Sequence, residues 1–516
     1  MTRAAHQEAD VLRLKRLGID TYQELVIFAA RSSPVCRSEG WAAQSRIQVA
    51  CNGRSIVATL NVTTDGLLAP DEASLSEAAW QLLGARNGDL VRLSQSPPVD
   101  SLSHVRAKVY GETLQPAAIE QIVRDVVAGR YSDIDLAAFV TSFAGPRSTV
   151  DETIALTRAM IDTGERLYWG HSPIVDKHCV GGLPGNRTSM IVVPIVAACG
   201  LTMPKTSSRA ITSPAGTADA METIAPVDLE LQAMRRVVER EGACIVWGGR
   251  VRLAPADDVI ISVERPLDFD SPAQLVSSIL SKKAAAGSTH IVIDMPIGST
   301  AKVRSDAAGD VLESLMGSVA SSLGMSLRLV RTDGAQPVGR GIGPALEARD
   351  VLDVLRRHER APGDLRERAL SLAGTVLELA GAVEPGAGIR RATQALDDGS
   401  AERKLEAICA AQGGMREPVP AGLTHVVAAT HAGRVAGFDN RRLARLAKLA
   451  GAPRSPGAGV DLHTKIGAAI VRGEPLLTIH AETPGELDYA RAYLAENSQM
   501  INLEETSGEA GGAGPK

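Results

Sequence analysis

Apolar and polar residues alternate in the N-terminal part of the chain. Residues 47–50 and 55–58 show the alternation that is typical of strands with one buried face. A helical pattern at 74–83, an Asn-Gly turn at 87–88 and an apolar run at 90–93 follow. This order of elements predicts a small β-rich domain.

The middle of the chain changes to helical periodicity. Apolar residues at 119, 122, 123, 126 and 127 form the stripe of an amphipathic helix. Thr149 and Glu152 have the spacing of a capping box, which predicts the start of another helix. From 190 to 330, apolar runs alternate with helical stretches and loops rich in glycine, serine and threonine, as in α/β domains.

A third pattern begins after residue 435. A basic helix at 440–449 and strands around 476–480 predict a small α+β domain, and the low-complexity end predicts a disordered tail. The predicted fold class is therefore multidomain α/β. The predicted domains are a β-rich domain at 1–98, a helical domain at 99–175 to which later segments contribute, an α/β domain at 176–425, the α+β domain at 426–503 and the tail at 504–516.

Length and composition limit the classes of function. A chain of 516 residues is too long for one hydrophobic core. Its formal net charge of −5 argues against general binding to nucleic acids or anionic membranes, which requires a basic excess. Six scattered cysteines without a Cys-x-x-Cys pair, and a polar start without an apolar signal core, predict a cytoplasmic protein. The ten histidines lack metal-ligand spacing, so we expect no metal.

Two polar segments carry candidate chemistry for binding an anion. The first, 176–189, combines glycines, hydroxyls and Lys177 at the start of an apolar run, where free backbone N–H groups can bind an oxyanion. The alternative is a mobile glycine-rich loop with a solvated lysine. Asn186 and Arg187 stand where a P-loop needs glycine and lysine, which argues against a P-loop nucleoside triphosphatase.

The second segment, 205–222, places six hydroxyls and Arg209 within thirteen residues. An arginine can bind phosphate through two parallel hydrogen bonds, while serine and threonine donate others. An ordinary polar loop is the competing interpretation. Because two such segments flank one apolar helix, we favour a phosphate-binding site.

These segments resemble the signature segments of the thymidine phosphorylase/AMP phosphorylase family, and they are most similar to its longer, AMP phosphorylase-like branch. The residues that carry the resemblance read DKHCVGGLPGNRTS at 176–189 and SSRAITSPAGTADAMETI at 207–224. GRYSDIDLAAFVTSF at 129–143 resembles the family's helical domain, and GVDLHTKIGAAIVRGEPLLTIHA at 459–481 resembles its C-terminal domain. The resemblance covers nearly the whole chain, and the N-terminal domain resembles the extension of the longer branch.

The resemblance implies an architecture and a reaction. It implies a helical domain and an α/β domain enclosing a cleft, as in nucleoside phosphorylases and phosphoribosyltransferases. The family reaction is reversible phosphorolysis, in which a nucleoside or nucleotide and phosphate give a free base and a sugar 1-phosphate. We therefore expect small-molecule substrates, phosphate as cosubstrate without another cofactor, and a homodimer or larger homo-oligomer.

The resemblance also implies roles for individual residues. Asp270 matches the proton donor to the departing base. The implied phosphate contacts are Lys177, Ser189, Ser207 and Thr217. The implied substrate contacts are Gly182, Ser208, Arg209, Ala210, Ile211, Thr212, Ser213, Thr217, Ser278, Lys282 and Lys302. Alternatives remain: Asp270 as a helix N-cap, Asp268 as the donor, and Lys282 and Lys302 as simple surface charges.

The sequence departs from the nucleoside branch at three places. Cys179 replaces a phosphate-binding serine, and Pro184-Gly185 lengthens its loop by one residue. Asp257 lies near the position of the arginine that reads the pyrimidine carbonyl in thymidine phosphorylase. The longer loop and the missing arginine favour a nucleotide substrate, for whose 5′-phosphate Arg187 and Arg209 are the candidate ligands.

Four functional hypotheses follow. The first is phosphorolysis of a nucleoside 5′-monophosphate (AMP, CMP or UMP) to the base and ribose 1,5-bisphosphate. The second is a thymidine or other pyrimidine nucleoside phosphorylase. The third is an anthranilate-type phosphoribosyltransferase, which would depend on Mg²⁺. The fourth is a non-catalytic nucleotide sensor. For His178, beside Lys177, we expect a structural role.

Overall fold

The computed structural model describes residues 11–21, 24–64, 66–144, 147–210, 213–251, 253–267 and 271–504. The chain divides into two compact units, Met1–Ser142 and Phe143–Lys516. Among the described residues, no helix is long and apolar enough to cross a membrane.

The first unit contains a closed six-stranded barrel, which confirms the predicted β-rich domain. Its strand order is β1-β5-β2-β4-β3-β6. The strands are β1 (Val11–Leu14), β2 (Val26–Ala30), β3 (Arg46–Cys51), β4 (Arg54–Thr63), β5 (Glu72–Leu75) and β6 (Leu90–Gln95), with helices α1 (Pro34–Ser38) and α2 (Glu77–Leu83). Alternate residues of β3 are buried, as the pattern predicts. The helix predicted at 74–83 is shorter, because Ala73 and Leu75 are buried in strand β5.

Three helices complete this unit: α3 (Leu102–Val109), α4 (Pro116–Val127) and α5 (Asp133–Ser142). The predicted stripe of α4 is confirmed, because Ile119, Ile122, Val123 and Val126 are buried. Ser101 donates to Asp125 at 2.6 Å and lies 2.9 Å from the hydroxyl of Tyr131. This buried network fixes the segments on either side of α4.

The second unit is built around five short parallel strands. They are β7 (Val175–Cys179), β8 (Met203–Ser207), β9 (Ala243–Trp247), β10 (His290–Ile297) and β11 (Ser326–Asp333). They pair as β11-β10-β7 and as β8-β9, and a parallel bridge between Ile174 and Thr202 connects the two groups. Ile291 and Ile293 pack in one apolar cluster and Val292 in another, so apolar clusters cover both faces.

Helices surround these strands. They are α6 (Val150–Asp162), α7 (Ser189–Ala198), α8 (Thr217–Glu222), α9 (Leu231–Glu241), α10 (Pro255–Leu267), α11 (Pro272–Ala285), α12 (Asp306–Ser322), α13 (Pro344–Leu355), α14 (Gly363–Leu379), α15 (Gly388–Asp397) and α16 (Ser400–Gln412). The predicted capping box of α6 is confirmed between Thr149 and Glu152. Nine of the ten residues of α7 are buried, which explains its continuous apolar sequence.

The C-terminal part forms two small sheets with two helices. The elements are β12 (Gly341–Ile342), β13 (Leu423–Ala428), β14 (Gly433–Phe438), α17 (Asn440–Leu449), β15 (Gly459–Leu462), β16 (Ala469–Ile470), β17 (Pro475–Ala481), α18 (Pro484–Glu496) and β18 (Ile501–Glu504). The sheet orders are β12-β15-β17-β13 and β16-β14-β18. The predicted α+β character is thus confirmed. Strand β12, which precedes α13, joins the C-terminal sheet through β15.

The barrel core yields a first prediction. Ile47 is fully buried in β3, and removing its side chain beyond Cβ leaves a cavity. Ile47→Ala should lower the unfolding free energy of the barrel by about 3 kcal/mol. Amide exchange in β3 and β4, followed by mass spectrometry, should accelerate roughly a hundredfold. Leu90→Ala, at a side chain that is 61% exposed, is the control. Equal exchange in the two variants would contradict this barrel core.

Candidate active site

The two predicted polar segments leave the carboxyl ends of neighbouring parallel strands. Cys179 ends β7 and Ser207 ends β8, and the two segments, 176–189 and 205–222, contain most of the predicted site residues. Ligands bind at this edge in open α/β sheets, because the loops converge there. Lys302 lies in the loop after β10, which leaves the same edge.

Lys177 forms the buried centre of the first segment. Its ammonium group lies 3.4 Å from Asp294 and donates to Thr188 at 2.6 Å, and the Lys177 and Asp294 side chains are both 0% exposed. Burial would raise the pKa of Asp294, but Lys177 and hydrogen bonds from Thr332 and Asn186 hold that pKa below its usual value. The direction of the Lys177 side chain is thus fixed by Asp294 and Thr188. Ser189, another predicted phosphate contact, follows Thr188 directly as the first residue of α7.

Cys179 lies on the same side of β7 as Lys177, because strand residues alternate. Its sulfur accepts from the backbone of Gly181 at 3.4 Å and from the amide of Asn186 at 3.3 Å. Burial raises the pKa of the thiol to about 11. Cys179 is therefore a neutral thiol that orders the loop.

The opposite side of β7 carries Asp176 and His178. Asp176 is buried between Lys205 at 3.0 Å and Lys283 at 2.7 Å. Burial, and then the positive charges of Lys283, Lys205, Lys282 and Lys177, lower the pKa of His178 well below its usual value. His178 is therefore neutral near pH 7 and adds no positive charge to the site.

The second segment is held together by Asp219. This carboxylate accepts from the backbone of Ala210 at 2.6 Å and of Gly216 at 2.8 Å. A Cβ at Gly216 would lie 2.5 Å from the carbonyl oxygen of Ser208, so the two ends of the loop are in close contact. Ser213 and Ser207 donate to the backbone oxygens of Ala215 and Val246 respectively. Ile211 and Thr212 lie outside the described residues.

Arg209 is partly exposed and already paired with carboxylates. Its guanidinium binds Glu222 through two hydrogen bonds of 2.5 and 2.9 Å and lies 3.3 Å from Asp219. It also lies over the ring of Trp247, 5.0 Å from the centroid. These contacts fix the plane of the guanidinium beside the loop.

Arg187 connects the two segments. Its Nη1 donates to the hydroxyl of Thr217 at 3.1 Å, and its Nε lies 2.5 Å from the carboxylate of Glu347. Arg187 is 12% exposed, while Glu347 is 1% exposed. Burial raises the pKa of Glu347 to about 7, although Arg187 beside it acts in the opposite direction.

Gly182 and Lys302 are brought together by close backbone contact. Gly182 has φ +79°, and a Cβ there would lie 2.3 Å from the backbone nitrogen of Lys302. Only glycine allows this approach. The loops after β7 and β10 are therefore in contact at two predicted substrate contacts.

Ser278 and Lys282 lie on one face of α11, as their spacing predicts. Lys282 donates to Ser278 at 3.0 Å and to Asp257 at 2.6 Å. Asp257 therefore forms an ion pair with Lys282. Burial and then Asp257 raise the pKa of the neighbouring Asp258 to about 6.

The predicted proton donor Asp270 and its rival Asp268 lie outside the described residues. The alternative role of Asp270 as an N-cap is wrong, because Ser271 caps α11 and accepts from the backbone of Gln274. Among the described residues, no three His, Cys, Asp or Glu side chains are grouped as a metal site would require.

The sequence analysis missed the carboxylates Asp294 and Glu347. Asp294 had a signal, because it is one charge within the apolar strand sequence HIVIDMPI. A buried charge needs a partner. Glu347 had none, because it looks like an ordinary first-turn glutamate of an amphipathic helix.

Known proteins resemble this chain over nearly its whole length. Family models match as the helical bundle domain of a glycosyl transferase family at 103–164, its a/b domain at 171–402, and the pyrimidine nucleoside phosphorylase C-terminal domain at 434–500. A protein named "Putative thymidine phosphorylase" from Polaromonas sp. is 62% identical over 492 residues, 95% of this chain and 96% of that protein. One of the same name from Hahella chejuensis is 56% identical over 501 residues, 97% of this chain and 99% of that protein.

A solved structure shows the same fold. Anthranilate phosphoribosyltransferase of Thermus thermophilus matches with a TM-score of 0.51 and 21% identity, over 60% of this chain and 98% of that chain. At this identity the match concerns the fold alone. The identities with the relatives and the three matched domains go further: the chain belongs to the thymidine phosphorylase/AMP phosphorylase family and is a pentosyltransferase of the phosphorylase type.

Proposed function

We propose that the enzyme phosphorolyses a nucleoside 5′-monophosphate, giving a free base and ribose 1,5-bisphosphate. The observation that carries this proposal is a pair of guanidinium groups at the hydroxyl-rich segment 207–217: Arg209 belongs to the segment, and Arg187 donates to its Thr217. A nucleoside with inorganic phosphate brings one phosphate group, whereas a nucleotide with inorganic phosphate brings two. Two arginines suit the second case, because each guanidinium has five N–H donors and retains some beside its carboxylate.

The reaction exchanges one bond at C1′ for another. The bond between C1′ and the base nitrogen breaks, a phosphate oxygen bonds to C1′, and the base leaves with a proton. We propose that Lys177, Ser189, Ser207 and Thr217 hold inorganic phosphate against C1′. Donors that are already held in place suit this role, because the entropy of orienting them is lost on folding and not during the reaction. The phosphate dianion also stabilises the positive charge that develops on the sugar.

The base is proposed to bind on the side of Ser278, Lys282 and Lys302. Asp270 supplies its proton. The remaining implied contacts, Gly182 and 208–213, bind the sugar and the 5′-phosphate. The ion pair between Lys282 and Asp257 supports a base with donor groups as well as acceptors, because it offers a carboxylate beside an ammonium.

Thymidine phosphorolysis is the second candidate, and the names of the relatives favour it. The matched C-terminal domain is also named for pyrimidine nucleoside phosphorylases. Thymidine phosphorolysis requires another group to bind the pyrimidine carbonyl, because Asp257 lies near the position at which the family has its arginine. The two candidates share phosphate chemistry and differ in the 5′-phosphate.

A substrate panel separates them. Phosphate-dependent release of base is measured with AMP, CMP, UMP, GMP, thymidine, uridine, cytidine and adenosine. We expect turnover of monophosphates alone, unaffected by EDTA. Turnover of thymidine or uridine alone would select the second candidate. Nucleotide binding without release from any substrate would indicate a sensor, and loss of activity in EDTA would indicate a metal-dependent transferase.

The donor is tested in the same assay. Asp270→Asn should lower kcat by about a hundredfold or more, because an amide cannot donate the proton that the leaving base needs. Asp268→Asn is the matched control and should retain most of the activity. The opposite result would assign the donor role to Asp268.

Thr217 tests the phosphate site. Thr217→Val keeps the shape of the side chain and removes the hydroxyl, so the KM for phosphate should rise about tenfold with little change in kcat. Thr223→Val is the control, because the Thr223 hydroxyl donates only to a backbone oxygen, that of Ala220, beyond the end of the same helix. An unchanged KM in Thr217→Val would remove Thr217 from the phosphate site.

A further inference from the structure

Arg187 is held by two contacts from different parts of the chain. Thr217 accepts from its Nη1 at 3.1 Å, and Glu347 is paired with its Nε at 2.5 Å. An arginine side chain has many rotamers, and holding it in one of them costs conformational entropy that favourable contacts must offset. The direction of this guanidinium is therefore set by Glu347 as much as by the loop on which Arg187 lies.

Glu347 is itself fixed by residues 341–345, which connect helix α13 to the C-terminal sheet and which we call the joint. Its Oε1 accepts from the backbone of Gly343 at 3.1 Å. Gly343 follows β12, whose residues Gly341 and Ile342 pair with Asp461 and Val460 of β15.

The next turn strengthens the joint. The backbone of Ala345 donates to Pro456 at 3.0 Å. A Cβ at Gly343 would lie 2.3 Å from the carbonyl oxygen of Ala458. The backbone that holds the Glu347 carboxylate is thus itself held by contacts with the C-terminal part of the chain.

We propose that Glu347 is a positioning residue, which holds the Arg187 guanidinium against Thr217 and so fixes the phosphate-binding geometry of segment 207–217. The proposal rests on the proposed function, because it takes Thr217 as a phosphate contact. Glu347 does not touch the substrate. It acts through Arg187, and it makes phosphate affinity depend on the joint between α13 and β15.

Charge compensation alone does not explain Glu347. Taking a carboxylate out of water costs several kcal/mol, and removing one partner of a buried ion pair leaves the other charge uncompensated. Burial raises the pKa of Glu347 to about 7, so the neutral side chain costs the fold little near that pH. Glu347→Gln should therefore fold, while the pair with Arg187 is lost.

The experiment is a double-mutant cycle on phosphate affinity. Inorganic phosphate and, separately, AMP are titrated by calorimetry into wild type, Glu347→Gln, Arg187→Met and the double variant. Thr217 is proposed to hold inorganic phosphate and is also one of the implied substrate contacts, so the two titrations distinguish which affinity depends on the pair of Arg187 and Glu347. We expect each single variant to weaken one of the two affinities about tenfold and the double variant to weaken it no further. In turnover, the corresponding KM should rise while kcat stays within about threefold of wild type.

Asp353→Asn is the matched control. Asp353 lies on the same helix and is paired with Arg340 at 2.8 Å, away from Arg187. It should leave both affinities unchanged. Independent, additive losses in the double variant, or unchanged or tighter binding in Glu347→Gln, would overturn the proposal.

A second variant covers the case in which Glu347→Gln is unstable. Arg187→Lys keeps the positive charge, but an ammonium cannot span both Glu347 and Thr217, so it should weaken the same affinity about tenfold. Wild-type binding in Arg187→Lys would overturn the proposal. Binding effects as expected in an enzyme that turns over no nucleotide would leave the positioning role standing and defeat the proposed function.

Discussion

The buried ion pair between Lys177 and Asp294 is the constraint on which the site depends. Lys177 lies opposite Val292 in the β7–β10 ladder, and Asp294 is two residues further on, so both side chains project from the same face. A buried ammonium without a partner would lose its proton or leave the interior. Asp294 and Thr188 hold the Lys177 ammonium group in one direction, towards the start of α7.

A chain of hydrogen bonds connects this ion pair to both polar segments. Asn186 donates to Asp294 at 2.9 Å and also to Cys179, which ties the glycine-rich loop to the strand. Arg187, the next residue, reaches Thr217 in the second segment. A change at Asp294 would therefore disturb the geometry of both loops. These hydrogen bonds explain how glycine-rich segments, which can adopt many conformations, are held in one conformation at the carboxyl end of the strands.

The sequence predicted what local pattern encodes. The stripe of α4 and the capping box of α6 depend on residues a few positions apart, and both are confirmed. The close approach of Gly182 to Lys302, and the pairing of Arg187 with Glu347, join residues more than a hundred positions apart. No periodicity encodes such contacts, because they follow from strand register and chain crossing. The predicted helix at 74–83 included the end of strand β5 for the same reason: the partners of β5, strands β1 and β2, lie far away in sequence and override a helical pattern.

The distribution of charge bears on the source of the proton. Nearly every cation here has a carboxylate partner: Lys177 with Asp294, Arg187 with Glu347, Arg209 with Glu222 and Lys282 with Asp257. His178 is neutral instead, since burial and then four lysines lower its pKa, so near pH 7 it carries no imidazolium proton to give. A carboxyl group whose pKa is raised is then the better acid. Burial and then Asp257 raise the pKa of Asp258 on α10 to about 6, so the protein environment there favours the protonated form of that carboxyl group. A carboxyl group in such an environment is therefore a better source of the proton for the departing base than His178.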